Sequence, residues 1–597
     1  MNHNRSFNSR IGVLLGIAGA VFIVIVGQLI NVQVVKAQSY SNRATDELRR
    51  TSVQLAPRGD ITDVNGVQLA RSVAAETIVV DQTEISDPAL AAEITSPVLG
   101  IPVAELTNLY TGKLLYKKIL VDAPPATWLN LQQTITNYNK KVLKEKGGIA
   151  KRIVGFFSER SYVRDYPTGK LASSLIGFIN DAGVGASGIE SSMNQTLNGV
   201  NGEYVFENGA GNIIPGSAKT RIMAKVGTSV KLTIDRDIQW VAQDAISTAV
   251  KNSHAKSGTV IVMDPKTGAI LAQASAPTFD PADKKTITLS SIRNPAVQDV
   301  YDPGSTGKVI TVAAAIEEHK TTPTSVFTIP YSLKVGTNTY HDHEKHSTER
   351  LTTTGLLAVS SNTGAIQVGQ SLGAKKLHDY LNNFGIGQNT GSHLPGESSG
   401  LLLPLEKWTD STLPTNSFGQ GYSVTALQAT SVFATIANDG VRVPPTVIAG
   451  TRDSNGNFSP AKQGASERVI SADTAKQMRA MLESVVSENG TAPSAAIPGY
   501  RVAGKTGTAQ RFNEGCKCYA GYTASFIGFA PADAPKYVVS VTIQDPVGMH
   551  WGGVLGGPVF KKVMSFTLQN KGIAPTTGTL QTYPLTEKDL NKVLVKQ

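Results

Sequence analysis

The hydrophobic pattern of the chain begins with a twenty-residue apolar run, Ile11–Ile30, in which Gln28 is the only strongly polar residue. As a helix this run is about 30 Å long, which is enough to cross the hydrocarbon core of a membrane. Arg5 and Arg10 precede it, and no acidic residue occurs before Asp46. Because positive charge is retained on the cytoplasmic side, the N-terminal tail is predicted to be cytoplasmic.

A cleaved signal peptide is the alternative interpretation of this run, with Val35-Lys-Ala37 as the cleavage site. The apolar core of a signal peptide is usually about 7–15 residues long, which is shorter than Ile11–Ile30. We therefore predict a cytoplasmic tail over 1–10 and a single membrane anchor over 11–35. The rest of the chain is then expected outside the cytoplasm.

Beyond the anchor, helical and strand periodicities alternate, which predicts an α+β fold with more than one domain. Residues 36–226 mix both patterns, and a new domain is predicted over 227–575, where a β-hairpin comes first, helices follow and strands return late. That order implies a sheet closed by distant parts of the chain. Residues 576–597 are interpreted as a loosely attached tail. The strands are expected at Thr259–Met263, Ala269–Ala274, Tyr500–Ala503, Thr523–Phe529 and Tyr537–Ile543.

Composition narrows the functional classes. A chain of 597 residues is too long for one hydrophobic core, and its 41% hydrophobic and 17% charged residues are typical of globular proteins. The net charge of +10 comes from scattered basic residues without a dense run or a nucleic-acid-binding motif. We interpret the charge as a bias of the surface and expect no nucleic-acid partner.

Candidate chemistry first occurs at Ser305-Thr-Gly-Lys308, which opens an almost entirely apolar helix. Such a helix is predicted to be buried. A serine at the start of a helix is most often only a cap. Lys308 indicates more than a cap, because at i+3 it shares a helix face with Ser305. Burial lowers the pKa of a lysine, and a neutral amine beside a serine is a competent general base.

Two further motifs, Ser360-Ser-Asn362 and Lys505-Thr-Gly-Thr508, follow in this order. Taken alone, Ser360–Asn362 is better explained as a helix cap or loop. The Lys505 motif is predicted to form a strand edge whose glycines permit close approach of a substrate backbone. A second lysine there would keep Lys308 neutral by like-charge repulsion and would attract a carboxylate. Together the three motifs favour acyl transfer on a serine activated by a lysine.

Over essentially its whole length the chain resembles the class B penicillin-binding proteins, which are monofunctional peptidoglycan D,D-transpeptidases. The resemblance implies an α+β multidomain fold with a transmembrane helix, a pedestal domain of the PBP-dimerisation type over 36–226, and a penicillin-binding, β-lactamase-like serine transpeptidase domain over 227–575. The segments that resemble the pedestal are Arg58–Gly66, Arg164–Pro167 and Gly185–Glu190, and those that resemble the catalytic domain are Tyr301–Lys308, Ser417–Gly421, Gly504–Gln510 and Gly552–Phe560.

The resemblance also implies a role for each reacting group. Ser305 would attack the carbonyl between the two terminal D-alanines of a donor stem peptide, and Lys308 would take its proton. Ser360 would relay a proton to the leaving D-alanine, while Asn362 would hold the peptide and the lysines. The oxyanion would sit between the backbone N–H groups of Ser305 and Thr508. The third motif would bind the substrate and its terminal carboxylate through Lys505, Thr506, Gly507 and Thr508.

The expected partners are peptidoglycan stem peptides, β-lactams that acylate the same serine, the cytoplasmic membrane, and a SEDS-family glycan polymerase with other division proteins. No cofactor and no metal is expected. The chain length, the segment Phe418-Gly-Gln-Gly421 and the lack of C-terminal repeat modules favour the septal, FtsI-like branch. An elongation-type class B protein is the alternative.

Two positions depart from the family pattern. Gly307 replaces the bulkier residue that is often found inside the nucleophile motif, which is expected to loosen packing there. Val64 stands where the pedestal motif often carries arginine. Neither departure removes a reacting group.

Other enzyme classes share parts of this pattern. A β-lactamase needs a carboxylate to activate water, and Glu397 is the visible candidate, although the family uses that stretch structurally. A D,D-carboxypeptidase shares every reacting group and differs only in accepting water. A bifunctional class A enzyme would need a glycosyltransferase motif near the anchor, and none is found. A β-lactam sensor or an idle scaffold fits less well, because the motifs are intact and the predicted cytoplasmic tail is short.

Two clusters remain outside this scheme. The segment His341-Asp-His343-Glu-Lys-His346 is dense in side chains that can bind zinc, but a polar connection between a strand and the second motif is the preferred interpretation.

Cys516 and Cys518 are the only cysteines. A disulfide is permitted outside the cytoplasm, but with one intervening residue reduced thiols are slightly favoured over a bridge.

Overall fold

A computed structural model describes residues 4–40, 49–145, 147–209, 212–213, 219–513, 515–576 and 582–594. The described chain forms two compact units. The first unit comprises Met1–Pro57, Ala74–Tyr162 and Gly199–Val226. The second unit comprises Arg58–Val73, Val163–Asn198 and Gly227–Gln597. Two segments of the predicted pedestal, Arg58–Val73 and Val163–Asn198, therefore fold with the second unit.

The first unit starts with the apolar helix α1, Asn4–Ile30, which continues as a π-helical turn over Asn31–Val35. Among the described residues, Arg10–Val35 is the one helical stretch long and apolar enough to span a membrane. It indicates membrane anchoring. The other helices and strands of this unit, including strands that continue into the second, are β1 Arg49–Gln54, β3 Gln68–Val80, α2 Pro88–Leu99, α3 Val103–Tyr110, β4 Lys117–Ala123, α4 Pro125–Val142, β5 Phe156–Asp165, β6 Gly202–Gly209, β7 Asn212–Ile213 and β8 Lys219–Ile222.

The core of the first unit lies between its helices and the antiparallel pair β3–β4. Asp87 caps α2 by accepting a hydrogen bond from the Leu90 N–H, and Pro88 occupies the first helical position, where it costs no hydrogen bond. The fully buried Tyr110 hydroxyl lies 2.8 Å from the Thr95 hydroxyl of α2. This contact satisfies the polar tip of the largest side chain in the core.

The second unit is built around a five-stranded sheet of order β11-β10-β24-β23-β22. Its strands are β10 Ser257–Met263, β11 Ile270–Ala276, β22 Ala503–Asn513, β23 Cys518–Ala530 and β24 Tyr537–Gln544. The early hairpin β10–β11 pairs directly with the late strand β24, from Ser257↔Gln544 to Met263↔Val538. This pairing confirms the predicted closure of the sheet by distant parts of the chain.

Helices pack against this sheet, and as a consequence every residue of β11 is buried. The helices of the second unit are α5 Ser173–Ile176, α6 Gly188–Ser192, α7 Asn194–Leu197, α8 Arg236–Asn252, α9 Pro295–Gln298, α10 Lys308–Glu317, α11 Thr353–Ala358, α12 Asn362–Leu372, α13 Ala374–Asn383, α14 Thr412–Ser417, α15 Ala426–Ala437, α16 Ala472–Glu483, α17 Gly552–Asn570 and α18 Glu587–Leu594. Helices α8 and α17 pack on the sheet and on each other, and α15 packs on β23 and β24. Asp235 caps α8, because its side chain accepts hydrogen bonds from the Asp237 and Ile238 N–H groups.

Short strands complete the second unit. Strand β9, Ser229–Leu232, pairs in parallel with β2, Ile61–Thr62, and antiparallel with β19, Ile448–Arg452. Strand β16, Glu349–Thr352, pairs with β13, Val326–Ile329, and leads directly into α11. The remaining strands are β12 Val300–Tyr301, β14 Ser332–Val335, β15 Asn338–His341, β17 Val424–Thr425, β18 Val441–Arg442, β20 Phe458–Pro460 and β21 Glu467–Arg468.

The segments that resemble the pedestal motif meet in a buried ion triad. The Glu190 carboxylate accepts from Arg58 Nε at 2.6 Å and from Arg164 Nε at 2.7 Å, and the Glu190 side chain is fully buried. Arg164 Nη1 also donates to the Gly59 carbonyl at 2.9 Å. Three distant segments of the chain are thereby joined through one carboxylate. The Val64 N–H donates to the Ile234 carbonyl, so this position contributes its backbone to the same region.

The prediction of a loosely attached C-terminal tail is wrong for its described part. The Thr352 N–H donates to the Leu585 carbonyl at 3.0 Å, and the Thr352 hydroxyl donates to the Pro584 carbonyl at 2.6 Å. Glu587 forms a two-fold ion pair with Arg350. The tail is held on β16, the strand that precedes the second motif. Residues 577–581 and 595–597 of the predicted tail lie outside the described residues.

Substituting Glu190→Gln is expected to lower the free energy of unfolding by about 3–5 kcal/mol, because two buried guanidinium groups lose their counter-charge. Urea denaturation of the purified protein measures this loss. Glu467→Gln is the matched control, since Glu467 pairs with Arg442 at the surface with 57% of its side chain exposed. The control should change stability by less than about 1 kcal/mol. Equal effects of the two substitutions would contradict a stabilising role for the triad.

Candidate active site

The candidate nucleophile lies on a 3₁₀ turn, Gly304–Gly307, that leads directly into α10. Gly304 has a φ of +55°, a conformation that glycine adopts without strain. The Gly304 N–H donates to the Gly419 carbonyl at 2.8 Å, which attaches the turn to a neighbouring loop. Ser305 is partly exposed, whereas Lys308 at the start of α10 is fully buried. The turn therefore presents its serine to the surface and its lysine to the interior.

Lys308 connects the first two motifs. Its Nζ lies 3.0 Å from Ser305 Oγ, 2.5 Å from the Ser360 carbonyl and 2.7 Å from Asn362 Oδ1. Burial lowers the pKa of Lys308 to about 7, although the nearby Asp342 carboxylate acts in the opposite direction. A large share of Lys308 is therefore uncharged at neutral pH, in contact with the serine hydroxyl. The predicted proximity of Lys308 to Ser305 is confirmed.

Ser360 lies between the two buried lysines. Its Oγ is 2.8 Å from Lys505 Nζ and 3.3 Å from Lys308 Nζ. The φ of Ser360 is +64°, a left-handed conformation that costs a non-glycine residue about 1–3 kcal/mol. Non-glycine residues in such conformations cluster at functional sites, where the surrounding structure holds them. The backbone strain here positions the Ser360 hydroxyl between two amino groups.

Lys505 is fully buried on β22, which pairs with β23. Its pKa is lowered well below the ordinary value, mainly by burial and secondly by the charge of Lys308. Burial was predicted to lower the pKa of Lys308, and the structure agrees, whereas the predicted repulsion between the lysines lowers the pKa of Lys505. In the structure burial is the main cause for both lysines.

The rest of the third motif forms one wall of the site. The Thr508 hydroxyl accepts from the Gly552 N–H at 3.2 Å, and the Thr506 hydroxyl lies 2.9 Å from that of Thr491. A Cβ on Gly507 would lie 2.4 Å from Ser525 Oγ and 2.9 Å from the Pro303 carbonyl. Gly507 is thus required because β23 and the residue before the nucleophile turn pack closely against it, whereas the sequence suggested the close approach of a substrate backbone.

Asp342 holds the second motif in place. Its carboxylate accepts from the Asn362 N–H, from the Thr363 N–H at 2.9 Å and from Ser361 Oγ at 2.7 Å. His346 Nε2 lies 3.1 Å from the same carboxylate. This role of Asp342 was not predicted from the sequence. Residues 341–346 were interpreted as a polar connection, with zinc binding as the less favoured alternative. The described residues contain no group of three side chains suited to hold a metal ion.

The opposite walls of the site meet through aromatic rings. His343 follows Asp342 on the second-motif side, and Trp551 precedes Gly552 on the third-motif side. Their ring centroids are 4.2 Å apart in an edge-to-face arrangement. Burial lowers the pKa of His343, which favours its uncharged form. The two motif-bearing walls are therefore in direct side-chain contact.

Three subsidiary predictions have clear outcomes. Glu397 accepts from the Thr390 N–H at 2.8 Å and from Ser392 Oγ at 3.0 Å, which confirms its structural role. The preference for reduced thiols is wrong, because Cys516 and Cys518 form a disulfide in the structure. The expected loosening at Gly307 is also wrong, because the Tyr422 hydroxyl fills the space beside it.

Comparison with known proteins agrees with this geometry. Residues 258–565 match the penicillin-binding protein transpeptidase domain, and residues 53–232 match the penicillin-binding protein dimerisation domain. The chain is 35% identical over 592 residues to penicillin-binding protein PbpB of Mycolicibacterium smegmatis, covering 94% of this chain and 90% of that protein. It is 31% identical over 585 residues to peptidoglycan D,D-transpeptidase FtsI of Buchnera aphidicola, covering 96% of this chain and 97% of that protein.

A solved structure is similar over the same range. Penicillin-binding protein 3 of Mycobacterium tuberculosis, complexed with aztreonam, superimposes with a TM-score of 0.70 at 32% identity. The similarity covers 90% of this chain and all of that one. The two domain matches lie within 53–565, and the alignment with PbpB covers 94% of this chain. The chain therefore belongs to the class B penicillin-binding proteins.

Proposed function

We propose that this protein is a serine-type peptidoglycan D,D-transpeptidase that cross-links stem peptides through an acyl-enzyme on Ser305. The observation that carries the proposal is the 3.0 Å contact between Ser305 Oγ and the buried Nζ of Lys308. A lysine whose pKa is near 7 accepts a proton at neutral pH, as a general base for a serine requires. Similarity to FtsI and PbpB supports the same reaction.

In the acylation step, Ser305 Oγ forms a bond to the carbonyl between the two terminal D-alanines of the donor peptide, and Lys308 receives the hydroxyl proton. The backbone N–H groups of Ser305 and Thr508 stabilise the oxyanion. Support for this placement comes from the packing of Gly507 against Pro303, which brings the third motif beside the nucleophile turn. β-Lactams acylate the same serine.

Departure of the terminal D-alanine requires a proton on its amine. Ser360 is placed to deliver it, because its hydroxyl lies between Lys308 and Lys505 and exchanges protons with either. Asn362 orients Lys308 and the donor peptide. Lys505, Thr506 and Thr508 bind the terminal carboxylate through amine and hydroxyl donors. An amine of a neighbouring stem peptide then attacks the acyl-enzyme, which restores Ser305.

We assign the protein to septal cell-wall synthesis, a role that its similarity to FtsI supports. The apolar helix α1 would place the short N-terminal tail in the cytoplasm and the catalytic unit outside, in accordance with Arg5 and Arg10 before the helix. A SEDS-family glycan polymerase and other division proteins are the proposed partners, reached through the anchor and the dimerisation domain.

Labelling with a fluorescent penicillin tests the assignment of the nucleophile. Wild type is expected to become covalently labelled, and Ser305→Ala is expected to lose all labelling, because no acyl bond forms. Gel fluorescence after denaturation measures the label. Ser371→Ala serves as the control, since among the described residues that hydroxyl donates only to the Val368 carbonyl within its own helix, and its loss should not affect labelling. Covalent labelling retained by Ser305→Ala would overturn the proposal.

Asp342→Asn should affect both the rate of acylation and its pH dependence. The Asp342 charge raises the pKa of Lys308, so its removal should move the midpoint of the pH–rate profile to lower pH. Asparagine also weakens the hydrogen bonds that the Asp342 carboxylate accepts from the second motif. The acylation rate on the plateau of the profile should therefore fall about tenfold. Stopped-flow acylation from pH 5 to 9, roughly the range around a pKa near 7, measures both effects.

Glu344→Gln is the matched control for Asp342→Asn, because it removes an exposed carboxylate from the same connection. The control should keep the midpoint and the plateau of wild type. A midpoint that rises in Asp342→Asn, or a profile equal to that of the control, would contradict the role assigned to Asp342.

A further inference from the structure

Gly307 lies inside the nucleophile turn, between Ser305 and Lys308, and has no side chain. The φ and ψ angles of Gly307 are −70° and −21°, ordinary helical values that any residue adopts. The backbone therefore does not require glycine at this position. The reason for glycine must lie in the space beside it.

Tyr422 occupies that space. A Cβ placed on Gly307 would lie 2.2 Å from the Tyr422 hydroxyl oxygen, 2.9 Å from the Gly419 Cα and 3.3 Å from the Tyr422 ring carbon that bears the hydroxyl. Tyr422 is 1% exposed, and its hydroxyl has no hydrogen-bond partner among the described residues. Burying an unpartnered hydroxyl is unfavourable, so hydrogen bonding does not explain the tyrosine. Its phenol contributes volume against the nucleophile turn.

The loop that carries Tyr422 is fitted to the same turn at a second point. The Gly419 carbonyl accepts the Gly304 N–H at 2.8 Å, and a Cβ on Gly419 would lie 1.9 Å from the Gly304 carbonyl oxygen. The supporting loop, Ser417–Tyr422, thus contacts the turn both before and after Ser305. Neither contact leaves room for an additional methyl group.

We propose that Tyr422 is a positioning residue that supplies the packing that a side chain at position 307 would otherwise give. The inference rests on the proposed function of Ser305. Gly307 lies between Ser305 and Lys308 in the chain, so a shift of its backbone changes the distance between the serine oxygen and the lysine nitrogen. Tyr422 acts on the reaction through this distance and not by touching the substrate.

The test is a double-mutant cycle of Gly307→Ala, Tyr422→Phe and the double variant, with fluorescent penicillin as the probe. Stopped-flow kinetics separate the rate constant of acylation from the dissociation constant of the first complex. Gly307→Ala should slow acylation about tenfold or more, because the new methyl group displaces the turn. Tyr422→Phe should slow it about twofold to threefold, since it leaves a gap beside Gly307.

The double variant should acylate at least about threefold faster than Gly307→Ala alone but more slowly than wild type, because removal of the hydroxyl relieves the shortest contact of the methyl group and leaves its contact with the Gly419 Cα. The dissociation constant of the first complex should remain that of wild type in all three variants. Tyr110→Phe, in the core of the first unit, is the control: it affects stability without changing the acylation rate. A double variant no faster than Gly307→Ala, or a Gly307→Ala variant as fast as wild type, would overturn the proposal.

Tyr422→Leu keeps the test decisive if Gly307→Ala does not fold. Leucine leaves the turn unsupported, so the acylation rate constant should fall while the first complex is unaffected. An unchanged rate constant in Tyr422→Leu would overturn the role of Tyr422. That result is distinguishable from a failure of the proposed function, because wild type would still be labelled and Ser305→Ala would not.

Discussion

The burial of two lysine side chains beside one partly exposed serine is the constraint on which the rest of the site depends. Lys308 and Lys505 are both fully buried, and both approach the hydroxyl of Ser360. Burial is the main cause of the lowered pKa of both lysines, and the charge of Lys308 lowers the pKa of Lys505 further. Burial thereby keeps a large share of Lys308 uncharged at neutral pH, so that its amine is free to accept the proton of Ser305.

The surrounding structure keeps this arrangement from relaxing. The five-stranded sheet fixes Lys505 through β22 and β23, while α10 fixes Lys308 in the centre of the unit. Asp342 anchors the segment that carries Asn362, and Ser360 is held in a left-handed conformation next to it. Each of these supports comes from a distant part of the chain, so the site forms only when the second unit is folded.

Local pattern predicted those features that depend on neighbours in sequence. The i+3 spacing of Ser305 and Lys308, in an apolar helix, was sufficient to predict their contact and the lowered pKa of Lys308. The alternation of strands and helices was sufficient to predict a sheet closed by β10 and β24. These features follow from periodicity and burial, which a sequence displays directly.

Contacts between distant segments were not predictable in this way. Asp342 sits in a polar stretch that contains three histidines, and nothing local distinguishes an anchor from a loop. The filling of the space beside Gly307 depends on Tyr422, more than a hundred residues later. The docking of Leu585 on Thr352 is likewise invisible in the composition of the C-terminal segment. Such contacts are set by tertiary packing and not by periodicity.

The titration of Lys308 tests the central claim most directly. NMR of the protein with isotope-labelled lysine side chains follows each Nζ through a pH titration, and comparison with Lys308→Met assigns its signal. One signal should titrate with a midpoint of about 7 and should be missing from the variant. If every lysine signal titrates near the ordinary value of about 10.4, the account of Lys308 as an uncharged base at neutral pH is contradicted.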